Sequence, residues 1–181
     1  MGYGVVARVF HWLTVVLVLI MIPAGTIMIQ EIPRPTQDAL FILHKGLGPF
    51  VLLVVLLRLA WRFASPPPPL PQEMPKLQRL AAGTVHAGLY AVLIVMAVSG
   101  YVRVTTGGFP IESLRALGIP PLLPKNESVA EVAKAIHATA RYVLIALILL
   151  HVAAAAYHGI IRRDGVFSRM WPPFSRSNSA A

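Results

Sequence analysis

HATARYVLIALILLHVAAAAYH, residues 137–158, is the stretch that decides the fold. It overlaps a run of 20 residues without formal charge, 142–161, which is long enough for a helix to cross a hydrocarbon core about 30 Å thick. His137 and His151 are 14 residues apart, so they lie on nearly the same helix face and about 21 Å apart along its axis. Histidines inside a membrane span are costly and mark functional candidates. The stretch therefore predicts a transmembrane helix with two separate functional histidines.

Three further apolar runs precede this one along the chain. Residues 9–30 and 80–102 are uncharged, and residues 39–57 contain His44 and Lys45 in an otherwise apolar run. The chain of 181 residues is 56% hydrophobic and 13% charged, which excludes an ordinary soluble or disordered protein. It has no cysteine, which excludes disulfide frameworks, cysteine-ligated metal centres and covalently attached haem. We expect an all-α fold, a bundle of four transmembrane helices.

The four runs define a single membrane domain over residues 1–181. We expect helices at about 8–30, 39–62, 80–103 and 130–161, loops at 31–38, 63–79 and 104–129, and a C-terminal tail at 162–181. Four spans put both termini on one side, which carries nine basic and two acidic residues against seven and five opposite. The positive-inside rule therefore predicts that both termini are cytoplasmic. Because the basic residues lie between apolar runs, we expect membrane lipid and not nucleic acid as a partner.

The spacing of 14 residues recurs in the other predicted helices. It joins His11 to Gly25, His86 to Gly100, and His44 to Arg58. A planar cofactor held by histidines of facing helices needs small residues where its edge passes another backbone, and an arginine can pair with its carboxylates. This pattern predicts two stacked bis-histidine haems, one near each membrane surface. In a simpler interpretation the histidines and glycines only join helices, and the arginine reaches towards the lipid headgroups.

Depth in the membrane limits which histidines can share a haem. His44 and His137 both lie near the side opposite the termini, so we expect them to form one pair. His151 lies near the side of the termini, where both His11 and His86 enter their helices. The spacing does not choose between these two partners.

Longer motifs resemble those of the bacterial cytochrome b561 family over roughly residues 8–171. They are His11-Trp12, His44 with Gly48, Arg58-x-x-x-Arg62 before a proline-rich linker, His86-x-x-x-Tyr90, Ile136-His137 and the run from His151 to His158. The set is specific as a whole, although no single dipeptide is. The resemblance implies a protein of the bacterial inner membrane that binds two b-type haems (haem b) and delivers electrons to the quinone pool.

The resemblance also implies which histidines bind each haem. His11 and His151 would hold the haem nearer the cytoplasm, and His44 and His137 the haem nearer the periplasm.

His86 and His158 remain after this assignment. We expect them to bind the headgroup of ubiquinone, the electron acceptor, and to protonate it, because quinone reduction consumes protons. Alternatively, both only hydrogen-bond to backbone or haem propionate.

Superoxide is the electron donor that the resemblance favours. Lys45, beside His44, and Lys134 and Arg141, on either side of His137, would create a positive field that attracts this anion. Arg141 is equally suited to bind a haem propionate, a quinone or a lipid phosphate.

The function that we expect is therefore that of an oxidoreductase, which passes electrons from periplasmic superoxide through two haems to ubiquinone. A first alternative is an electron-transfer subunit that serves a hydrogenase, a dehydrogenase or a periplasmic redox partner protein. A second alternative is a non-redox transporter or interaction module in which histidines only join helices.

Overall fold

Helices dominate the computed structural model, which describes residues 2–71 and 74–171. They are α1 (Val5–Ile27), α2 (Arg34–Ala64), α3 (Lys76–Thr106), the short α4 (Glu112–Ala116) and α5 (Glu127–Ala156). A π-helical turn (Tyr157–Arg162) extends α5, and a 3-10 turn (Phe167–Arg169) follows. Four of these helices, with α5 counted to Arg162, are long and apolar enough to cross a membrane. The predicted all-α fold with four membrane-spanning helices is confirmed.

Helix boundaries differ from the predicted ones where prolines begin a helix. The loop predicted over 31–38 is helical from Arg34, because Pro33 and Pro35 fit the start of a helix, where an N–H has no helical partner anyway. Likewise α3 begins directly after Pro75, within the loop predicted over 63–79. The loop predicted over 104–129 was also wrong in part, since it contains the end of α3 and all of α4. Of the predicted tail over 162–181, residues 172–181 lie outside the described residues.

The helices pack in sequence order, α1 against α2, α2 against α3, and α3 against α5. Their shared core is a cluster of small and branched apolar side chains, in which Val55 is 1% exposed. The Tyr3 N–H donates to the Arg169 carbonyl at 3.2 Å, so the first and the last described residues lie near one end of the bundle. We call this the terminal end, and we call the opposite end, where α4 lies, the loop end.

Large apolar side chains cover much of the outer surface. Leu19 and Leu149, for example, are 67% and 65% exposed, as expected of side chains that face lipid. Polar side chains within the helices bond to their own backbone, because hydrocarbon offers them no water. Thr14 Oγ1 donates to the Phe10 carbonyl at 2.7 Å, and Thr106 Oγ1 donates to the carbonyl one turn before it. The surface and the helix interiors both suit a bilayer.

Candidate functional site

His44 of α2 and His137 of α5 face each other at the loop end. Their ring centroids are 6.1 Å apart and their planes are nearly perpendicular, at 86°. His44 Nδ1 donates to the Met21 carbonyl at 3.1 Å, and His137 Nδ1 donates to the Met96 carbonyl at 2.9 Å. Because a carbonyl only accepts hydrogen bonds, both protons lie on Nδ1, and both Nε2 atoms keep a free lone pair.

This geometry fits a metal bound between the two rings. A metal–imidazole bond is about 2.0–2.1 Å, so two imidazoles on opposite sides of one metal ion have centroids about 6.3 Å apart. The measured separation of 6.1 Å is close to this value. Metal-binding histidines usually donate their second N–H to a carbonyl or carboxylate, as both rings do here. The donor set therefore suits a haem iron that His44 and His137 would hold.

Gly25 and Gly100 make room for these two rings. A Cβ atom on Gly25 would lie 2.7 Å from Cε1 of His44, and one on Gly100 would lie 3.1 Å from Cε1 of His137. Both distances are too short for ordinary van der Waals contact. The glycines thus border the histidines themselves, and their predicted role in clearing a cofactor edge stays a prediction.

Three histidines meet at the terminal end. The rings of His11 and His151 are 6.2 Å apart with planes at 71°, and the ring of His86 lies 5.3 Å from that of His151. The first separation matches the spacing of two rings on one metal, whereas the second is about 1 Å too short for it. The distances fit a metal shared by His11 and His151 better than one shared by His86 and His151, and the choice between the two partners stays a prediction.

Arg58 lies within the same cluster. Its Nη2 is 3.0 Å from Nδ1 of His11, and its guanidinium carbon is 5.3 Å from the ring centroid of Tyr90. A guanidinium only donates, so Nδ1 of His11 accepts here and the ring proton lies on Nε2. Ligation of iron through Nε2 requires this proton to move to Nδ1 and the guanidinium to turn aside. A guanidinium released in this way is free for the predicted pairing with a propionate.

Lys45 links α4 to the loop end of α2 through hydrogen bonds. Its Nζ donates to Glu112 Oε1 at 2.9 Å and to the Pro110 carbonyl at 3.0 Å. Ser113 Oγ adds a hydrogen bond of 2.8 Å to the Gly46 carbonyl. Partial burial raises the pKa of the Glu112 carboxyl, but the hydrogen bond from Lys45 lowers it more, so this pKa lies below its ordinary value. Glu112 therefore stays ionised and offsets the charge of Lys45.

The other two cations predicted to attract superoxide differ from each other. Lys134 Nζ forms an exposed ion pair with Glu131 at 2.9 Å, so its charge is largely offset. Arg141 stacks on the ring of Tyr142 and donates to its hydroxyl at 2.9 Å. Among the described residues no carboxylate lies within 4 Å of Arg141, so its charge remains available.

Arg103 is a residue that the sequence reasoning missed. It lies in the last turn of α3, close enough to His44 and His137 to act electrostatically on both. Its position directly after the uncharged run 80–102 was the available signal, but a basic residue at a helix end is equally typical of contact with lipid headgroups.

His158 pairs with Asp164, which the sequence reasoning also missed. His158 Nδ1 and Asp164 Oδ2 are 2.6 Å apart, and the Val166 N–H donates to the other carboxyl oxygen at 3.2 Å. Arg163 takes a left-handed conformation (φ 49°) that ends the π-helical turn and reverses the chain. The predicted quinone pair is therefore placed as two clusters, His86 beside His151 and His158 beside Asp164, and a site shared by both stays a prediction.

The C-terminal segment (residues 163–171) folds back over the terminal end. Trp12 Nε1 donates to the Met170 carbonyl at 3.0 Å, and the ring centroids of Trp12 and Trp171 are 5.3 Å apart. Because Trp12 follows His11 directly, the segment covers the bundle beside the terminal histidine cluster. Asp164 lies at the start of this cover.

A membrane-spanning helical bundle with two facing histidine pairs defines a class of protein, the membrane cytochromes b. A family model of prokaryotic cytochrome b561 matches residues 2–173. Cytochrome b561 homolog 2 of Escherichia coli (strain K12) is 32% identical over 178 residues, covering 93% of this chain and 90% of that protein. The probable superoxide oxidase CybB of Yersinia pestis is 27% identical over 168 residues, covering 90% and 91%.

The chain therefore belongs to the prokaryotic cytochrome b561 family, and the resemblance read from its motifs is confirmed. It is an integral inner-membrane protein of electron transfer that binds b-type haem.

Asp164 generates a prediction about pH. Partial burial raises the pKa of its carboxyl, but the hydrogen bonds with His158 and the Val166 N–H lower it more, so the folded pKa lies below the ordinary value. A carboxyl of this kind adds stability above its unfolded pKa, about 3.9, and loses it as pH falls through the folded pKa. We expect the C-terminal segment to stay bound at pH 5 and to detach below about pH 4.

Tryptophan fluorescence during an acid titration measures this, because Trp12 and Trp171 separate when the segment detaches. Asp164→Asn is the control, and it should weaken the segment at neutral pH and abolish the acid transition. An unchanged transition in Asp164→Asn would assign it to another group.

Proposed function

We propose that this protein carries electrons from superoxide to ubiquinone through two haems, one at each end of the bundle. The observation that carries the proposal is the pair of ring separations, 6.1 Å at the loop end and 6.2 Å at the terminal end. Both separations suit one iron that the two histidines would hold. The name of the Yersinia pestis relative, probable superoxide oxidase, supports the choice of donor.

His44 and His137 would hold the loop-end haem, and His11 and His151 the terminal-end haem. Each haem, when bound, supplies an iron that takes up and releases one electron. The chain contributes the ligands and their spacing, since the 14 residues between His137 and His151 set the two sites about 21 Å apart along α5.

The surroundings of the two histidine pairs differ. At the loop end both Nδ1–H groups donate to carbonyls, which makes the imidazoles stronger electron donors. At the terminal end the guanidinium of Arg58 lies 3.0 Å from Nδ1 of His11. Because Arg103 and Arg141 also put positive charge near the loop-end pair, the direction of transfer in this proposal follows from where the donor and the acceptor bind.

Arg103 and Arg141 would attract superoxide to the loop end. Lys45 and Lys134 form ion pairs with glutamates, so they contribute less to the local field than their formal charges suggest. Among the described residues neither arginine has a carboxylate within 4 Å. An uncompensated cation beside an electron-accepting site raises the encounter rate with an anion.

The proposal includes an orientation in which both termini are cytoplasmic. The loop end then lies at the periplasm and His158 at the cytoplasmic side, where protons for quinone reduction are available. The charge imbalance of the sequence supports this orientation.

Exposed apolar side chains at the loop end favour a second candidate function. Phe109, Leu117 and Leu122 are 65%, 64% and 76% exposed in the segment around α4. A redox partner protein that docks on them would deliver electrons in place of superoxide, and the chain would then act as an electron-transfer subunit.

The haem assignment predicts which histidine holds which haem. His44→Ala or His137→Ala should reduce the haem content from two per chain to one, and His11→Ala or His151→Ala should remove the other haem. His86→Ala is the matched control, since the 5.3 Å between its ring and that of His151 is too short for a shared iron, and it should keep both. Haem extraction and the absorbance spectrum of the reduced protein measure this. If His86→Ala loses a haem and His11→Ala keeps two, the terminal assignment is wrong.

The donor assignment predicts that a superoxide flux reduces the purified protein. The rate should fall with added salt, because fields at a surface are screened over about 8–10 Å at 0.1–0.15 M ionic strength. Arg141→Gln should slow the reaction about threefold, whereas Lys134→Gln, on the same helix but already paired with Glu131, should change it little. Stopped-flow absorbance follows the reduction. A protein whose absorbance stays oxidised would favour the partner-protein function instead.

The acceptor assignment predicts that His158→Ala uncouples quinone reduction from haem reduction. Loss of a proton donor should slow electron delivery to a soluble ubiquinone analogue roughly tenfold or more, while superoxide still reduces the protein normally. Asp164→Asn keeps the imidazole and should slow delivery less. Parent rates in both His158→Ala and His86→Ala would place the quinone site elsewhere.

A further inference from the structure

α1 and α3 carry the same spacing of three residues, displaced by 75 positions. In each helix a histidine is followed by a methionine ten residues later and a glycine four residues after that: His11, Met21 and Gly25 in α1, and His86, Met96 and Gly100 in α3. Single glycines and methionines are common in membrane helices, but an identical register in two helices of one bundle calls for a shared cause.

The two copies make the same contacts with the neighbouring helix. The Met21 carbonyl accepts from His44 Nδ1, and the Met96 carbonyl accepts from His137 Nδ1. In an α-helix the carbonyl of residue i also accepts from the N–H of residue i+4, which is the glycine in both copies. The absent Cβ lets the imidazole approach a carbonyl that is already part of the helix.

We propose that this Met-x-x-x-Gly step is a histidine cradle that positions the two loop-end histidines for haem. The carbonyl fixes the proton on Nδ1, and the glycine admits the ring, so that Nε2 keeps a free lone pair for a metal. The first cradle is Met21 with Gly25, and the second is Met96 with Gly100. The inference rests on the proposed ligation of the loop-end haem by His44 and His137.

The residue before the glycine makes the two cradles unequal. It is Ala24 in the first and Ser99 in the second, and both are buried, at 4% and 6% exposure. Ser99 Oγ lies 3.2 Å from His137 Nδ1 and also donates to the Met96 carbonyl at 3.2 Å. The Nδ1–H of His137 therefore has two acceptors, whereas one hydrogen bond holds Nδ1 of His44. Ser99 is thus a positioning residue that tunes His137.

Alanine substitution of the cradle glycines tests the proposal. Gly25→Ala should lower the haem content from two per chain to one, and Gly100→Ala should do the same less completely, since its Cβ would meet the ring at 3.1 Å rather than 2.7 Å. Gly48→Ala and Gly83→Ala are matched helical controls, because a Cβ at either position meets nothing within 4 Å. Both controls should keep two haems. Two haems with an unchanged spectrum in Gly25→Ala would overturn the cradle.

A double-mutant cycle on the haem-free protein separates a cradle from other reasons for a glycine. Gly25→Ala should lower the unfolding temperature in the parent, where the new methyl group meets the His44 ring. In the His44→Ala background it should leave that temperature unchanged or raise it, because the ring is gone and alanine favours a helix. An equal decrease in both backgrounds would show that the glycine serves helix packing, and no decrease in either would show that it only clears the cofactor edge; both results would overturn the cradle.

The same variants distinguish failure of the cradle from failure of the proposed ligation. If the single variant His44→Ala keeps two haems, both the proposed ligation and the cradle are wrong. If His44→Ala loses one haem while Gly25→Ala keeps both, only the cradle is wrong.

A redox titration tests the part of the proposal that concerns Ser99. Ser99→Ala converts the second cradle to the composition of the first, and Ala24→Ser does the reverse. Each variant should keep two haems and shift the midpoint potential of the loop-end haem, with the terminal-end potential unchanged, because a hydrogen bond to Nδ1–H changes electron donation by the ligand. Two unchanged potentials in Ser99→Ala would overturn the role of Ser99.

Discussion

A ring nitrogen that is buried in hydrocarbon needs a partner, and the histidine sites of this bundle depend on how that need is met. At the loop end each Nδ1–H reaches a helix carbonyl that already serves its own backbone ladder. This approach requires glycine at positions 25 and 100, since a side chain there would hold the ring away from the carbonyl. With the Nδ1 proton bound to a carbonyl, the Nε2 atoms of His44 and His137 keep free lone pairs that can bind a metal. The same Nδ1–H to carbonyl hydrogen bond thus fixes the tautomer and the helix contact of both His44 and His137.

The two ends of the bundle meet this need differently. A guanidinium, not a carbonyl, lies against Nδ1 of His11, whereas carbonyl oxygens accept from Nδ1 of both loop-end histidines. A short segment covers each end and is held there by a hydrogen-bonded pair of side chains. At the loop end, Lys45 and Glu112 hold α4; at the terminal end, His158 and Asp164 hold residues 163–171. Neither cover lies within the apolar spans.

The sequence predicted those features that depend on length and period. Hydrophobic runs predict the four spans directly. A spacing of 14 residues places His137 and His151 on one face of a helix, independently of how that helix packs. Features that depend on approach between helices were not predicted. The ion pair of Lys45 with Glu112 joins residues 67 positions apart, and α4 itself lay within a segment predicted to be a loop. The contact between Gly25 and His44 was missed for the same reason, since spacing along one helix does not tell which neighbouring side chain fills the space.

The repeated register also explains why three histidines cluster at the terminal end and two at the loop end. His44 and Arg58 of α2 have the spacing of His137 and His151 of α5, so Arg58 occupies the place in the first helix pair that His151 occupies in the second. Accordingly Arg58 contacts His11 in one pair, as His151 contacts His86 in the other. Both candidate iron sites then combine one histidine from each helix pair, His44 with His137 and His11 with His151. Since neither half of the chain contains a complete candidate site, the packing of the two helix pairs against each other is what brings the two histidines of each site together.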